Sequence, residues 1–284
     1  MPIAALILLF LSASMHALWN FLLKSAEEKY IAMGWQVILS GIFAIVAVIF
    51  AGLPPKELWG VAFISMLLEA IYFILLCIAY SDHDFSLVYP IARGAAPALL
   101  VLWSAIFLRE QLTVGGYIGL AMITGGITTI GATSLLNNHE DKPHLRGILT
   151  ALAVALVISI YTFIDGLAVK HGPALQYGLL MFVMMPFVTT PYMGFKYGWS
   201  HFSKMWHQKR GYILLGGILG LVAYMMALFA YTFAPLSYSG AIREVSAVIG
   251  AFLGWKFLNE KMGGIRVVGA AIVFTGVMII AVFG

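Results

Sequence analysis

Residues 107–127 read FLREQLTVGGYIGLAMITGGI, and residues 257–277 read FLNEKMGGIRVVGAAIVFTGV. The two stretches align at an offset of 150 residues, and the alignment extends towards the N-terminus. The informative matches are Arg93 with Arg243, Glu110 with Glu260, Gly119 with Gly269, and Gly126 with Gly276. Chance identities are frequent between apolar segments, so the matched charged residues carry more weight than the matched apolar ones. The sequence therefore predicts that the chain contains two copies of one structural unit.

The composition is that of an integral membrane protein. Of the 284 residues, 62% are hydrophobic and 10% are charged, and the mean hydropathy is +0.98, whereas about 25% of the residues in soluble domains are charged. The net charge of +4 comes from basic residues scattered over short loops, so membrane topology explains it and no nucleic-acid partner is predicted. Cys77 is the single cysteine, which excludes a disulfide within the chain.

Polar residues divide the chain into ten apolar segments of about the 20 residues that a membrane-spanning helix needs. The predicted spans are 3–23, 31–52, 57–80, 85–107, 113–134, 147–169, 174–195, 211–233, 237–257 and 264–283. The first span lacks a basic region ahead of its long apolar run, so we interpret it as retained and not as a cleaved signal peptide. No loop is long enough for a soluble domain, so we expect the function to lie within the membrane.

The repeat and the span count together predict an all-α membrane protein with two five-helix units, residues 1–138 and 139–284. Because five is odd, the second unit enters the bilayer from the opposite side. Such an inverted-topology repeat is typical of secondary transporters.

The distribution of lysine and arginine predicts the orientation. Setting Arg93 and Arg243 aside, the side that carries both termini holds Lys56, Arg109 and Lys170. The opposite side holds the other eleven basic residues. We therefore expect both termini outside the cytoplasm, in a bacterial cytoplasmic (inner) membrane.

These features, together with VYPIARGAAPALL at 88–100, resemble the EamA family of the drug/metabolite transporter superfamily. The resemblance covers nearly the whole chain and implies ten spans and membrane transport. It does not specify the substrate, because that superfamily handles amino acids, nucleotide sugars, drugs and other metabolites. Its four-helix multidrug relatives carry a proton-exchanging glutamate eight residues before a lysine. Here His16 holds that position before Lys24, so their proton mechanism does not transfer directly, although a histidine can titrate near neutral pH.

Five ionisable side chains fall in the middle of predicted spans, where each costs about 2.5 to 3.5 kcal/mol and normally faces the bundle interior or a wet cavity. They are Glu69, Arg93, Asp165, Arg243 and Glu244. We predict that Arg93 pairs with Glu69 and Arg243 with Asp165 in a shared central cavity, which leaves Glu244 to bind a proton or a cationic substrate group. The alternative is that the pairs only hold helices together.

Further candidates for the site lie on the same segments. Pro90 and Pro97 flank Arg93 and would bend its helix, leaving free carbonyls on one side. His16 and Asn20 are one helical turn apart and can face the same interior. The candidate aromatic walls are Trp19, Tyr72, Tyr89, Tyr161 and Tyr224, although packing or the membrane interface is the more common role of such a residue.

The expected function is secondary-active transport of small polar or amphipathic metabolites, such as amino acids or related compounds, as an exporter or exchanger that is coupled to protons or works by exchange. A flippase for a lipid or polyprenyl phosphate is an alternative, because two buried arginines suit a phosphate. An intramembrane enzyme is a weaker alternative, since the sequence holds neither an HExxH nor a GxSxG motif. No P-loop supports ATP-driven transport, and we predict no cofactor or metal. The glycine spacing allows a homodimer as well as a monomer.

Overall fold

The computed structural model describes residues 1–82, 85–137, 145–258 and 264–283, and within these ranges the regular structure is entirely helical. The helices are α1 (Ile3–Lys24), α2 (Lys29–Ala51), α3 (Trp59–Asp82), α4 (Phe85–Phe107), α5 (Val114–Asn137), α6 (Leu145–His171), α7 (Ala174–Tyr197), α8 (Trp199–Phe233), α9 (Leu236–Arg243), α10 (Val245–Leu258) and α11 (Gly264–Phe283). A single 3₁₀ turn, Lys56–Leu58, precedes α3. Each predicted span coincides with at least one helix.

The helices are those of a multi-pass membrane protein. Six of the described helices, α1, α2, α3, α6, α7 and α8, are long and apolar enough to cross a membrane. Shorter apolar stretches lie in α4, α5 and α11. The all-α membrane class is thus confirmed, whereas the arrangement of ten spans as an inverted repeat stays a prediction.

Two of the predicted segments differ from the structure. The ninth span was expected to be one helix, but it is broken at Glu244, between α9 and α10. The backbone N–H groups of Glu244 and Ala247 bond to carbonyls three residues earlier, as in a 3₁₀ turn. The stretch expected to be a loop before the eighth span is instead the start of α8, which has a kink at Lys209. Phe202 and Met205 on this start are buried, because they form an apolar stripe with helical spacing.

The helices pack in a limited set of pairs. The most extensive contacts are α5 with α11, α1 with α8, α4 with α6, and α2 with α7; further contacts join α4 with α5, α2 with α8, α3 with α6, α3 with α7, and α1 with both α9 and α10. Helices distant in the sequence therefore build the core. Buried Tyr177, Leu228 and Tyr231 lie within it.

Glycines bring α5 and α11 together backbone to backbone. A Cβ added to Gly119 would lie 2.7 Å from the Gly276 carbonyl oxygen, and one added to Gly276 would lie 2.7 Å from the Gly119 carbonyl oxygen. A Cβ on Gly126 would likewise lie 2.7 Å from the Gly269 oxygen. Close helix approach through small residues is the usual means of packing in lipid.

Candidate functional site

Arg93 and Glu244 form a buried ion pair. The Arg93 Nη1 atom lies 3.2 Å and 3.3 Å from the two Glu244 carboxylate oxygens, and the two side chains are 10% and 6% exposed. The predicted partner, Glu69, was therefore wrong for this guanidinium, and Glu244 is not the unpaired acid that we expected. The break between α9 and α10 accounts for the difference, since Glu244 caps α9 instead of continuing a straight helix.

His16 of α1 completes this cluster. Its Nε2 atom lies 2.8 Å from Arg93 Nη2, and because a guanidinium can only donate, Nε2 is the acceptor and carries no proton in this contact. Trp19 lies beside the imidazole, with ring centroids 5.4 Å apart. Asn20 is directed back to its own helix, where its amide donates to the His16 carbonyl at 2.8 Å. Asn20 thus supports the helix backbone.

Asp165 of α6 is fully buried and accepts hydrogen bonds from three hydroxyl groups. Ser65 donates at 2.5 Å and Tyr177 at 2.7 Å to the same carboxyl oxygen, while Tyr224 donates to the other oxygen. Glu69 of α3 is also buried and lies close enough to Asp165 and Tyr224 to interact with both. Three hydroxyl donors satisfy this carboxyl group without a guanidinium.

Arg243 lies beside Tyr224, one of the hydroxyl donors to Asp165, without forming the predicted ion pair with Asp165. It donates to the Tyr231 hydroxyl at 2.7 Å, and its guanidinium lies 5.6 Å from the centre of the Tyr224 ring. Its pairing with Asp165 was therefore wrong in detail, because hydroxyl groups occupy the Asp165 oxygens. Arg243 remains near enough to act on Asp165 and Glu69 through its charge.

A small cavity lies beside the Arg93–Glu244 pair and extends to Arg243. Its lining includes His16, Arg93, Arg243 and Glu244, together with Tyr161 and Thr162 of α6. The volume that the centre of a water molecule can occupy is about 20 Å³, which is about the room that one water molecule needs. The cavity is therefore almost filled by side chains in this conformation.

The remaining candidates are divided between this region and its surroundings. The Tyr72 and Tyr161 rings pack 6.0 Å apart, and Tyr224 links Arg243 to Asp165. The side chains of Tyr89 and Pro90 lie outside the described part of the structure. Pro97 lines the cavity.

Several residues of the site were not predicted. Ser65, Tyr177 and Tyr231 supply the hydroxyl partners described above. Ser65 could have been found, because it lies one helical turn before Glu69 on α3. The positions of Tyr177 and Tyr231 carry no such signal, since each meets its partner through tertiary packing.

Comparisons with known proteins agree with this architecture. The model of the EamA-like transporter family matches residues 145–282. The crystal structure of another protein superposes on this chain with a TM-score of 0.76 at 16% sequence identity. The superposition covers 97% of this chain and 94% of the other, which shows a common fold. No curated protein matches the chain. Residues 145–282, just under half of the chain, thus match the EamA-like transporter family, which belongs to the drug/metabolite transporter superfamily.

Proposed function

We propose that this protein is a secondary-active transporter of small metabolites that carry both a carboxylate and an amino group. The Arg93–Glu244 ion pair is the observation that carries the proposal, because it joins α4 to the end of α9 beside a narrow cavity. Two charges held in a membrane interior are costly unless they are paired or used. A substrate with both charges can replace each partner of the pair.

The substrate class follows from the chemistry of the two clusters. A carboxylate fits Arg93 and Arg243, since guanidinium groups bind carboxylates with two parallel hydrogen bonds. An ammonium group fits Glu244, and Glu69 offers a second acidic partner. The Tyr161 ring supplies an apolar wall of the cavity, and Tyr72 and Trp19 pack beside Tyr161 and His16. Amino acids and related amphipathic compounds have this combination of groups.

The proposed mechanism is alternating access between two five-helix halves, residues 1–138 and 139–284. An inverted repeat relates α1 to α6, α2 to α7, α3 to α8, α4 to α9 with α10, and α5 to α11. If each helix is replaced by its repeat partner, the contact of α1 with α8 becomes that of α6 with α3. The contact of α4 with α6 likewise becomes those of α9 and α10 with α1. All of these contacts are present. The exchange also converts Gly119 against Gly276 into Gly269 against Gly126, and both contacts are present. This pairwise correspondence supports the repeat.

Proton coupling is part of the proposal. A proton on His16 Nε2 would remove the acceptor that now contacts Arg93, and the freed guanidinium would be available to a substrate carboxylate. Glu69, Asp165 and Glu244 are further acidic groups at the site. We place the protein in a bacterial cytoplasmic membrane with both termini outside, which a reporter fused to either end tests directly.

The test begins with thermal stabilisation of the purified protein by the common amino acids. Each is compared with the amine and the carboxylic acid that lack one of its charged groups. We expect the amino acids to raise the melting temperature more than either analogue. Exchange of the most stabilising compound is then measured by counterflow in proteoliposomes, where Arg93→Gln and Glu244→Gln should abolish exchange.

Glu57→Gln is the control for these variants, because Glu57 is exposed and does not line the cavity. It should exchange like the wild type. Wild-type exchange by both Arg93→Gln and Glu244→Gln would reject the site. Failure of the wild-type protein to exchange any stabilising amino acid would reject the substrate class.

A lipid or polyprenyl-phosphate flippase is the second candidate, and the presence of Arg93 and Arg243 at one cavity favours it. A phosphate is bound well by two guanidiniums. Nanodiscs containing a polyprenyl phosphate would then raise the melting temperature, and soluble amino acids would not. The acidic side chains at the same site argue against it, since they repel phosphate.

A further inference from the structure

We propose that Glu110 latches the transport pathway shut on the side of the termini and thereby positions Arg243 and Glu244. This inference rests on the proposed transport function. Glu110 is a positioning residue, because it acts on the site through α9. The site charges lie at one end of α9, and Glu110 holds the other end.

Glu110 caps α9 from a distant part of the chain. Its carboxylate accepts the backbone N–H of Leu236 at 2.8 Å and that of Ser237 at 3.2 Å, and it accepts the Ser237 hydroxyl at 2.6 Å. The first N–H groups of a helix have no partner within the helix, so an external carboxylate stabilises its start. α9 has no side-chain cap of its own at Pro235.

Lys170 binds the same carboxylate and thereby connects it to α6 as well as to α9. Its Nζ atom lies 2.9 Å from Glu110 Oε1, with the Lys170 and Glu110 side chains 25% and 12% exposed. Thr113 adds a bond from its backbone N–H to the Tyr238 hydroxyl at 3.2 Å. The turn after α4 is thus fixed to α6 and to the first turn of α9. The proposed halves meet at this latch of Glu110, Lys170 and Ser237.

The backbone before Glu110 has an unusual conformation that aims the carboxylate. Arg109 has a φ of 53°, in the left-handed region that costs a residue with a Cβ about 1 to 2 kcal/mol. The N–H of Glu110 bonds to the Ser104 carbonyl at 3.2 Å, so the chain turns back onto the end of α4 at this point. Strained conformations of this kind persist where the surrounding contacts hold them, often at functional sites.

α9 transmits the position of the latch to the site. It is only eight residues long, about 12 Å at 1.5 Å per residue. Pro235 bounds it at one end and the break at Glu244 at the other. Its first residue, Leu236, is seated on α6, where a Cβ on Gly166 would lie 2.5 Å from Leu236 Cδ1. Release of Glu110 would free this short helix to move as a unit.

Two spaces lie on either side of the latch. On the outer side is a depression of about 490 Å³ lined by Glu110, Lys170 and His171. On the inner side is the narrow cavity, where Leu100 of α4 packs against Gly240 of α9. A shift of α9 away from α4 would join the depression to the cavity.

The test is sided labelling of a single cysteine in the full chain. Cys77→Ser removes the native thiol, and Thr162→Cys places a reporter in the cavity lining. Sealed vesicles receive a membrane-impermeant maleimide on one side. Lys56 is exposed, and the predicted topology places it on the side of the termini, so a separate Lys56→Cys reporter identifies which side the reagent reaches.

We expect Glu110→Gln to speed labelling at position 162 from the Lys56 side by roughly tenfold, the change that a shift of about 1.4 kcal/mol produces. Glu57→Gln, on the same side, should leave the rate unchanged. Equal rates for the two variants, or a gain only from the opposite side, would overturn the latch. If Glu110→Gln does not fold, Lys170→Gln and Ser237→Ala should each give a smaller gain from the Lys56 side, and no gain in both would also overturn it. The measurement needs no substrate, so it can fail while transport is confirmed, or succeed while transport is refuted.

Discussion

Gly119 and Gly276 face each other so closely that neither position has room for a methyl group. Each would place a Cβ 2.7 Å from the carbonyl oxygen of the other. The obstructing atom is part of the backbone, so a side-chain rotation cannot relieve the overlap. The α5 and α11 pair therefore depends on glycine at both positions.

Gly119→Ala and Gly276→Ala should each destabilise the protein by about 1 to 3 kcal/mol, the usual cost of overpacking a tight contact. Thermal unfolding of the purified protein in detergent measures the effect. Gly125→Ala is the matched control on the same helix, because nothing lies within 4 Å of its added Cβ. Equal melting temperatures for Gly119→Ala and Gly125→Ala would contradict the close packing.

The Arg93–Glu244 pair should show strong coupling in a double-mutant cycle. Arg93→Met or Glu244→Met alone leaves one buried charge without its partner, a cost of about 3 to 5 kcal/mol. The double variant should recover much of this loss, since it removes both charges. Unfolding free energies of the four proteins give the coupling.

The His201–Glu28 pair is the control for that cycle. It has a similar separation of 2.8 Å, but its side chains are 50% and 39% exposed. We expect a coupling of about 0 to 1 kcal/mol there, because water screens an exposed pair. A coupling of the same size in both cycles would show that burial adds nothing at Arg93.

The stability supplied by Glu110 should depend on pH. Partial burial alone would raise the pKa of Glu110, but hydrogen bonds from Ser237, Leu236 and Lys170 outweigh it and lower the pKa below the ordinary value of 4.5. A lowered pKa in the folded state means that the stabilisation is complete above 4.5 and is lost as the pH falls through the lowered pKa.

The difference in unfolding free energy between wild type and Glu110→Gln should therefore be constant from pH 7 to about 5 and shrink below about 4.5. Melting curves of both proteins across this range measure it. Glu57→Gln should show no comparable loss on acidification relative to wild type. A gap between wild type and Glu110→Gln that widens as the pH falls would contradict the assigned direction.

Tyr177→Phe should destabilise the protein by removing a donor to the buried Asp165 carboxyl. The expected loss is about 0.5 to 1.5 kcal/mol, the usual net contribution of one hydrogen bond, because Ser65 still donates to the same Asp165 oxygen. The Tyr192 hydroxyl, which accepts from Lys196 at an exposed position, provides the control in Tyr192→Phe. The effect of Tyr177→Phe should also be smaller when Asp165 is replaced by Leu, because the acceptor is then absent.

Periodicity and composition were sufficient to predict the membrane class and the positions of the apolar helices. Long apolar runs with polar boundaries have few alternatives in a bilayer, where every backbone group must be bonded within its own segment. The stretch before the eighth span was predicted to be a loop because it is too polar overall to cross a membrane. The prediction was wrong because its apolar residues have helical spacing, so the stretch forms the start of α8. The break at Glu244 was missed because no proline marks it.

The sequence by itself identified the ionisable groups of the candidate site, because each of these residues interrupts an apolar run whatever its neighbours are. Only the tertiary structure decided their partners: Arg93 binds Glu244 and not Glu69, and hydroxyl groups hold Asp165 in place of Arg243. The physical reason is that hydrogen bonds act over about 3 Å. The choice among several nearby partners therefore depends on helix ends and packing, which residue spacing does not encode.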